Sequence, residues 1–235
     1  MHSSSKQVFF KGFTFFVEEN VYEPAEDSFL FAENLPVERS TRIVDVGTGC
    51  GILAIAAAKN AERVLAVDLN PHAIRCALRN AKLNGVIDKM DFVQGDLLGA
   101  CKAYGKFDLI LFNAPYLPAE GRDRSWLACS WSGGKSGREV IDRFIDQVPE
   151  HLSSKGRMLL MQSSLSSVDK TLQRFAVECL DAKVVARQNL PFFEEIALIE
   201  VTSRSAREWG REGKGGITWQ HRFTLALLGN AKCTR

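Results

Sequence analysis

An α/β fold with a seven-stranded, mostly parallel sheet covered by helices on both faces is what this sequence predicts, on three observations. Runs rich in Val, Ile and Leu recur without the polar alternation of a half-exposed strand, as in "RIVDVG" and "FDLILFN". Continuous apolar runs belong to strands buried on both sides. Segments of helical periodicity separate most of these runs, so strand and helix take turns from about Thr41 to Thr202. A glycine cluster follows the first run, where a parallel sheet places its ligand-facing loops.

The elements follow in order. "RIVDVG" is the first sheet strand and "ILAIAAAK" an alanine-rich helix; "RVLAVDL" is the second strand. Asn70 and Pro71 then supply a cap and a first-turn proline for the helix "HAIRCALRNAKLN", which Gly85 ends. "KMDFVQGD" reads as the third strand and "FDLILFN" as the fourth. "EVIDRFIDQVPEHL" is amphipathic, with Val140, Ile141, Phe144, Ile145 and Val148 on one side. "GRMLLMQ" is a fifth strand and "SSVDKTLQRFAVECL" a helix, and "AKVVARQN" and "EIALIEV" close the sheet as an antiparallel pair.

Bulk properties narrow the classes. A chain of 235 residues is long enough for one sizeable core. A formal charge of +2 lacks the concentrated basic face of a protein built to hold phosphate backbone. The six cysteines are scattered without a CxxC pair, which suits reduced thiols rather than a metal site. No run is apolar for the roughly 18 residues a membrane span needs. The Phe-rich start carries interrupting charges and no cleavage signature, so a cytoplasmic protein is expected. From about Ser203 the pattern breaks: Arg204, Arg207, Arg211, Lys214, Arg222, Lys232 and Arg235 outnumber Glu208 and Glu212. A loosely ordered basic extension is expected there, with a docking helix from "HRFTLALL" as the rival.

Chemistry gathers at the strand ends. In "VDVGTGCGIL", Asp45, Gly47, Gly49 and Gly51 follow a strand and open a helix, so a ligand can approach the backbone closely. A dinucleotide fingerprint needs a further Gly or Ala where this chain has Ile52, so a ligand without pyrophosphate is expected. Asp68 ends the second strand, about 20 residues further on, where a ribose lies in this topology. Asp96 closes the third strand and suits an adenine amino group. The fourth strand ends in Asn113, Ala114, Pro115 and Tyr116. Pro115 fixes its own φ and biases Ala114 toward an extended conformation. The Asn113 side-chain oxygen and the Ala114 carbonyl then converge as two acceptors for an NH2 group, with Tyr116 to pack over a planar substrate.

These features together resemble the class I S-adenosylmethionine-dependent methyltransferases that act on nitrogen, with their Rossmann-like sheet. "VYEPAEDSFLF" at Val21–Phe31 and "SWSGGKSGREVIDRF" at Ser130–Phe144 narrow the resemblance to the HemK-type protein glutamine methyltransferases. The branch is the archaeal and eukaryotic one that modifies the Gly-Gly-Gln glutamine of class I release factors. The resemblance covers about Val21 to Thr202 and divides the chain into 1–40, covering the cofactor, 41–202, the methyltransferase domain, and the extension 203–235. It implies S-adenosylmethionine as cofactor, with Asp45, Gly47, Gly49, Gly51, Asp68, Asp96 and Asn113 around it. It places Tyr22, Glu26, Asp27 and Ser28 in the covering segment, Ser28 on the methionine carboxylate, and Glu26 and Asp27 either on its ammonium or as helix-dipole acids. Trp131, Gly133, Gly134 and Gly137 shape the mouth, with Arg138 and Glu139 either part of it or a surface ion pair. A small zinc-binding activator subunit is implied on the edge strand 89–94, with Met90 and Phe92 at its interface. The family pattern is Asn-Pro-Pro-Tyr; Ala114 replaces its first proline, keeping the carbonyl and losing some rigidity. Methylation of an adenine amino group or of a protein lysine is the alternative.

Overall fold

The sheet forms because its central strands are apolar on both sides and each side meets helices. The structure, a computed structural model, describes residues 6–36, 38, 41–120, 123 and 125–203. Its seven-stranded sheet runs β5 (Met90–Gln94), β4 (Arg63–Asp68), β3 (Arg42–Val46), β6 (Phe107–Asn113), β7 (Leu152–Ser163), β9 (Glu195–Ser203), β8 (Leu180–Asn189). Neighbours from β5 to β7 are parallel, while β9 is antiparallel to both β7 and β8. Every strand expected from the sequence is present, the closing antiparallel pair included.

The chain leaves β3 in one direction to build β4 and β5, then returns to add β6 and β7 on the other side. That reversal opens a crevice at the carboxyl ends of β3 and β6. Val46 faces Phe112 in register, so the glycine loop and Asn113 start side by side.

Side chains alternate between two apolar layers. One layer joins Ile43 and Val64 to Phe31 of α1 (Glu26–Glu33), Ile55 of α2 (Ile52–Ala58) and Ala73 of α3 (Pro71–Leu83). The other joins Val44 and Phe112 to Phe144 of α5 (Glu139–Ile145) and Phe175 of α7 (Val168–Val177). The Phe112 and Phe144 rings lie 4.3 Å apart between centroids and are tilted by 44°, a close contact just under the roughly 4.5–7 Å usual for aromatic pairs.

Three local expectations change. The amphipathic "EVIDRFIDQVPEHL" forms two helices, α5 and the short α6 (Val148–His151), with Pro149 in the first turn of the second. Residues 6–17 form a hairpin, β1 (Lys6–Phe10) and β2 (Phe13–Val17), turning through Lys11 and Gly12 at positive φ. Asparagines replace a neighbouring strand for β2. Phe16 N donates to Asn80 Oδ1 at 2.9 Å, and Asn80 Nδ2 donates to Phe16 O at 2.9 Å. Asn84 does the same for Thr14 at 3.0 and 2.8 Å. Finally, Met90 on the edge strand is 5% exposed and packs into its own core, so it is not available to a partner; Phe92 is half-buried.

Cys50, Cys76 and Cys101 are buried free thiols and Cys129 an exposed one. The basic extension and its rival helix "HRFTLALL" lie outside the described residues, apart from Ser203 at the end of β9. Among the described residues no helix is long and apolar enough to cross a membrane.

Candidate active site

The glycine loop is held from below and beside. Gly47, Gly49 and Gly51 all take positive φ, at 69°, 56° and 88°. Asp45 is buried, and its Oδ2 accepts from Thr48 Oγ1 at 2.7 Å and Ala54 N at 3.1 Å, tying the loop to the first turn of α2. Burial pushes its carboxyl up to about 7, with those two hydrogen bonds opposing. Asp45 supports the loop from behind and does not line the cavity, which corrects its assignment as a cofactor contact. Gly51 is corrected likewise: a Cβ there would lie 3.1 Å from both Ala77 Cβ and Ile55 Cδ1, so this glycine lets α3 pack closely. Gly47, Thr48 and Gly49 do line the cavity.

Asp68 stands across the loop. Its Oδ2 accepts from Gly49 N at 2.9 Å and its Oδ1 from Asn70 N at 2.8 Å. Burial raises its pKa while these backbone donors lower it. Asp68 lines the cavity, and a carboxylate oxygen that accepts one bond can accept another, which suits a diol. Asp96 also lines the cavity, and its carboxylate is paired with Arg143.

The corner after β6 joins two distant parts of the chain, residues 22–28 and 113–116. Asn113 Nδ2 donates to Asp27 Oδ2 at 3.0 Å and to Ser28 Oγ at 3.3 Å. Tyr116 Oη donates to the same Asp27 oxygen at 3.2 Å, and Tyr22 Oη reaches both Asp27 oxygens at 3.3 and 3.4 Å. Burial foremost, and then Asp27, raise both phenol pKa values, so the tyrosines stay protonated donors. A carboxylate oxygen accepts, so the amino side of Asn113 must face it. The carbonyl side is fixed by default: Asn113 lines the cavity, and its Oδ1 is buried with no hydrogen-bond partner among the described residues. Asp27, 5% exposed, is thus the hub of this corner as well as a first-turn acid of α1; Glu26 is exposed and lies off the cavity.

The glycine-rich segment 133–137 braces this corner from outside. Gly133 N donates to Leu117 O at 3.0 Å and Leu117 N to Trp131 O at 3.0 Å. A Cβ at Gly133 would come within 2.6 Å of Pro115 O, and one at Gly137 within 2.3 Å of Tyr116 O. These glycines, with Gly134, sit behind the wall, while Trp131 lines it. Arg138 and Glu139 are not a surface ion pair. Arg138 is buried and donates to Ser166 O, Ser167 O, Thr171 Oγ1 and Asp142 Oδ1, whereas Glu139 Oε1 accepts from Lys135 N.

The resulting cavity, about 720 Å³, lies within the roughly 300–1,000 Å³ of small-ligand sites. Asn113, Ala114, Pro115, Tyr116 and Ser28 all line it. Trp126, on α4 (Trp126–Trp131), and Thr48 line it too and were not foreseen. Neither carries a local pattern that separates a wall residue from a core one.

The sheet order, the glycine loop after its first strand and the asparagine ending its fourth define a class I methyltransferase. The solved structures agree on the fold. A chain of the E. cuniculi Mtq2–Trm112 complex, described as responsible for methylation of the eRF1 translation termination factor, matches 79% of this chain and 99% of its own length, with TM-score 0.61 and 23% identity. The family model for ribosomal protein L11 methyltransferase matches residues 28–114 and stops before Pro115 and Tyr116, so it reports on the glycine-loop half. A protein of Methanocaldococcus jannaschii, named as a protein N5-glutamine methyltransferase, is 40% identical over 182 residues, covering 76% of this chain and 90% of that one. The methyltransferase HEMK2 of Mus musculus is 38% identical over 155 residues, covering 60% and 71%. The chain belongs to the protein N5-glutamine methyltransferase family.

Proposed function

We propose that the chain transfers a methyl group from S-adenosylmethionine to the side-chain nitrogen of a glutamine in the Gly-Gly-Gln motif of a class I release factor. The observation carrying this reading is the buried, unpartnered Oδ1 of Asn113, whose orientation Asp27 dictates. Relatives named release factor glutamine methyltransferase support the substrate class; the one from Chlorobaculum tepidum is 38% identical over 126 residues.

The cavity fits the cofactor by the chemistry of its walls. Asp68 suits the ribose hydroxyls, the exposed Leu69 and half of the Asp96–Arg143 pair suit the adenine, and Ser28 suits the methionine carboxylate. Tyr22, Asp27 and Ser28 make the start of α1 and the residues before it a cover for it. When bound, S-adenosylmethionine supplies an electrophilic methyl group on a sulfonium.

The remaining work is done by the chain. An amide nitrogen is a weak nucleophile because its lone pair is delocalised into the carbonyl. Asn113 Oδ1 and the Ala114 carbonyl accept the two N–H bonds, orient the nitrogen and favour the positive charge that develops on it. Tyr116 offers its ring to the planar amide. Transfer of the methyl group to that nitrogen would leave the donor sulfur as a neutral thioether, and one N–H proton would pass to water. Ala114 keeps the main-chain acceptor that a proline would present.

The edge strand β5 has one sheet neighbour, β4, and is the place for a small activator subunit of the kind seen in the Mtq2–Trm112 complex. With Met90 turned inward and Phe92 half-buried on the same core layer, the backbone edge of β5 carries that contact. Mass spectrometry of a release factor treated with the chain, activator and S-adenosylmethionine tests the proposal. A mass gain of one methyl on the glutamine of the Gly-Gly-Gln motif supports it. Label found on a lysine, or only in nucleic acid, overturns it.

A further inference from the structure

The turn joining β8 to β9 spends its chain in an unusual way. Phe192 and Phe193 are fully exposed, at 97% and 105%, the two most exposed large apolar residues among those described. Both also hold positive φ, at 63° and 64°. That left-handed conformation is disfavoured for any residue with a Cβ, and turns of this kind ordinarily use Gly or Asn. Two successive phenylalanines in it combine backbone strain with wetted apolar surface. Neither cost has a return inside the fold, and such outliers cluster where a protein binds something.

The turn also stands at the cavity. β9 begins where β7 ends, with Ile196 facing Ser163, so the turn occupies the carboxyl edge that carries the site. Leu190 N donates to Glu194 O at 2.8 Å, and Glu195 N donates to Ser164 Oγ at 3.1 Å, fastening the turn to the segment after β7. Leu190 packs on the layer that holds Phe15 and Phe31. Glu194, next to the two rings, lies near enough to Tyr22 and Tyr116 for its charge to act on both hydroxyls. Leu165, exposed beside Ser164, extends the apolar surface on the same edge.

We propose that Phe192 and Phe193 form an aromatic anchor that docks the protein substrate by seating in an apolar depression on the domain presenting the methyl-accepting glutamine. This rests on the function proposed above. The occupant is the substrate rather than the activator, because the turn is continuous with the mouth at Tyr22 and Tyr116 whereas β5 lies at the far edge of the sheet. A large flat ring pair gives contact area at low entropic cost and suits an interface anchor.

The test is steady-state methylation of intact release factor by the full chain with its activator, comparing wild type with the double variant Phe192→Ser/Phe193→Ser. Both side chains are exposed, so the variant folds, and an unchanged unfolding midpoint confirms it. We expect KM for the factor to rise about tenfold or more, with kcat and S-adenosylmethionine affinity unchanged. An unchanged KM overturns the anchor while the function stands, since wild type still methylates the glutamine. A fall in kcat with cofactor affinity, loss of the activator, or a wild-type dimer that the variant dissolves overturns it too. Wild type that methylates no glutamine in the factor removes the function and the anchor together.

Discussion

The two ends of the cavity are organised differently. Around the glycine loop, carboxylates are fixed by backbone N–H groups: Asp68 by Gly49 and Asn70, Asp45 by Ala54 together with the Thr48 hydroxyl. At the Asn113 corner, side chains from residues 22–28, 113 and 116 converge on one carboxylate, and one acceptor remains without a partner. The first arrangement is local, set within one strand–loop–helix unit and its neighbour. The second is assembled from segments 86 and 89 residues apart. The difference teaches that a binding end tolerates local construction, whereas an end that must aim one atom is held by a network in which every donor has been assigned.

That contrast predicts unequal sensitivity. Asp27→Asn keeps the shape but supplies an amino group beside Asn113 Nδ2, freeing the carboxamide to turn over. Turnover on the protein substrate should fall about a hundredfold, with a much smaller change in cofactor affinity measured by calorimetry. Equal losses in both would merge the two ends into one. Asp68→Ala should do the reverse, weakening S-adenosylmethionine binding about tenfold while kcat at saturating cofactor is largely kept.

Asp45 gives a pH test of the supporting layer. Its carboxyl sits at about 7 when folded against 3.8 ordinarily, so between those values the folded chain holds a proton that the unfolded chain has released. Stability therefore falls as pH rises from about 4 to about 7 and levels off above, by up to about 1 kcal/mol per pH unit. Urea midpoints of wild type and Asp45→Asn should diverge across that window, the wild type losing stability relative to the variant. Parallel profiles would show that burial does not control this carboxyl. Arg143→Ala, removing the exposed partner of Asp96, should change cofactor affinity less than about threefold.

The sheet was legible because its strands are buried on both faces, and periodicity reports burial directly. Asp68 and Asn113 were legible because strand ends are visible as the limits of apolar runs. What the sequence hid depends on contacts between distant segments. Nothing in "EPAEDSFLF" distinguishes Asp27 from Glu26: adjacent first-turn acids differ only in which one the helix turns toward Asn113. Arg138 looked like a surface charge because its four acceptors lie from 4 to 33 residues away. Asn80 on α3 and Asn84 at its C-cap sit four residues apart, a spacing that puts them on one face, yet their role as a surrogate strand appears only once β2 lies against them. Met90 failed as an interface residue because alternation along an edge strand says which residues share a side but not which side is inward.

Asn113→Ala bears most directly on the central claim, that the Asn113 side-chain oxygen is aimed at the nitrogen receiving the methyl group. Single-turnover methylation of release factor should be reduced at least about a hundredfold, while S-adenosylmethionine affinity stays within about fivefold of wild type. A variant that methylates the glutamine at the wild-type rate would contradict the account.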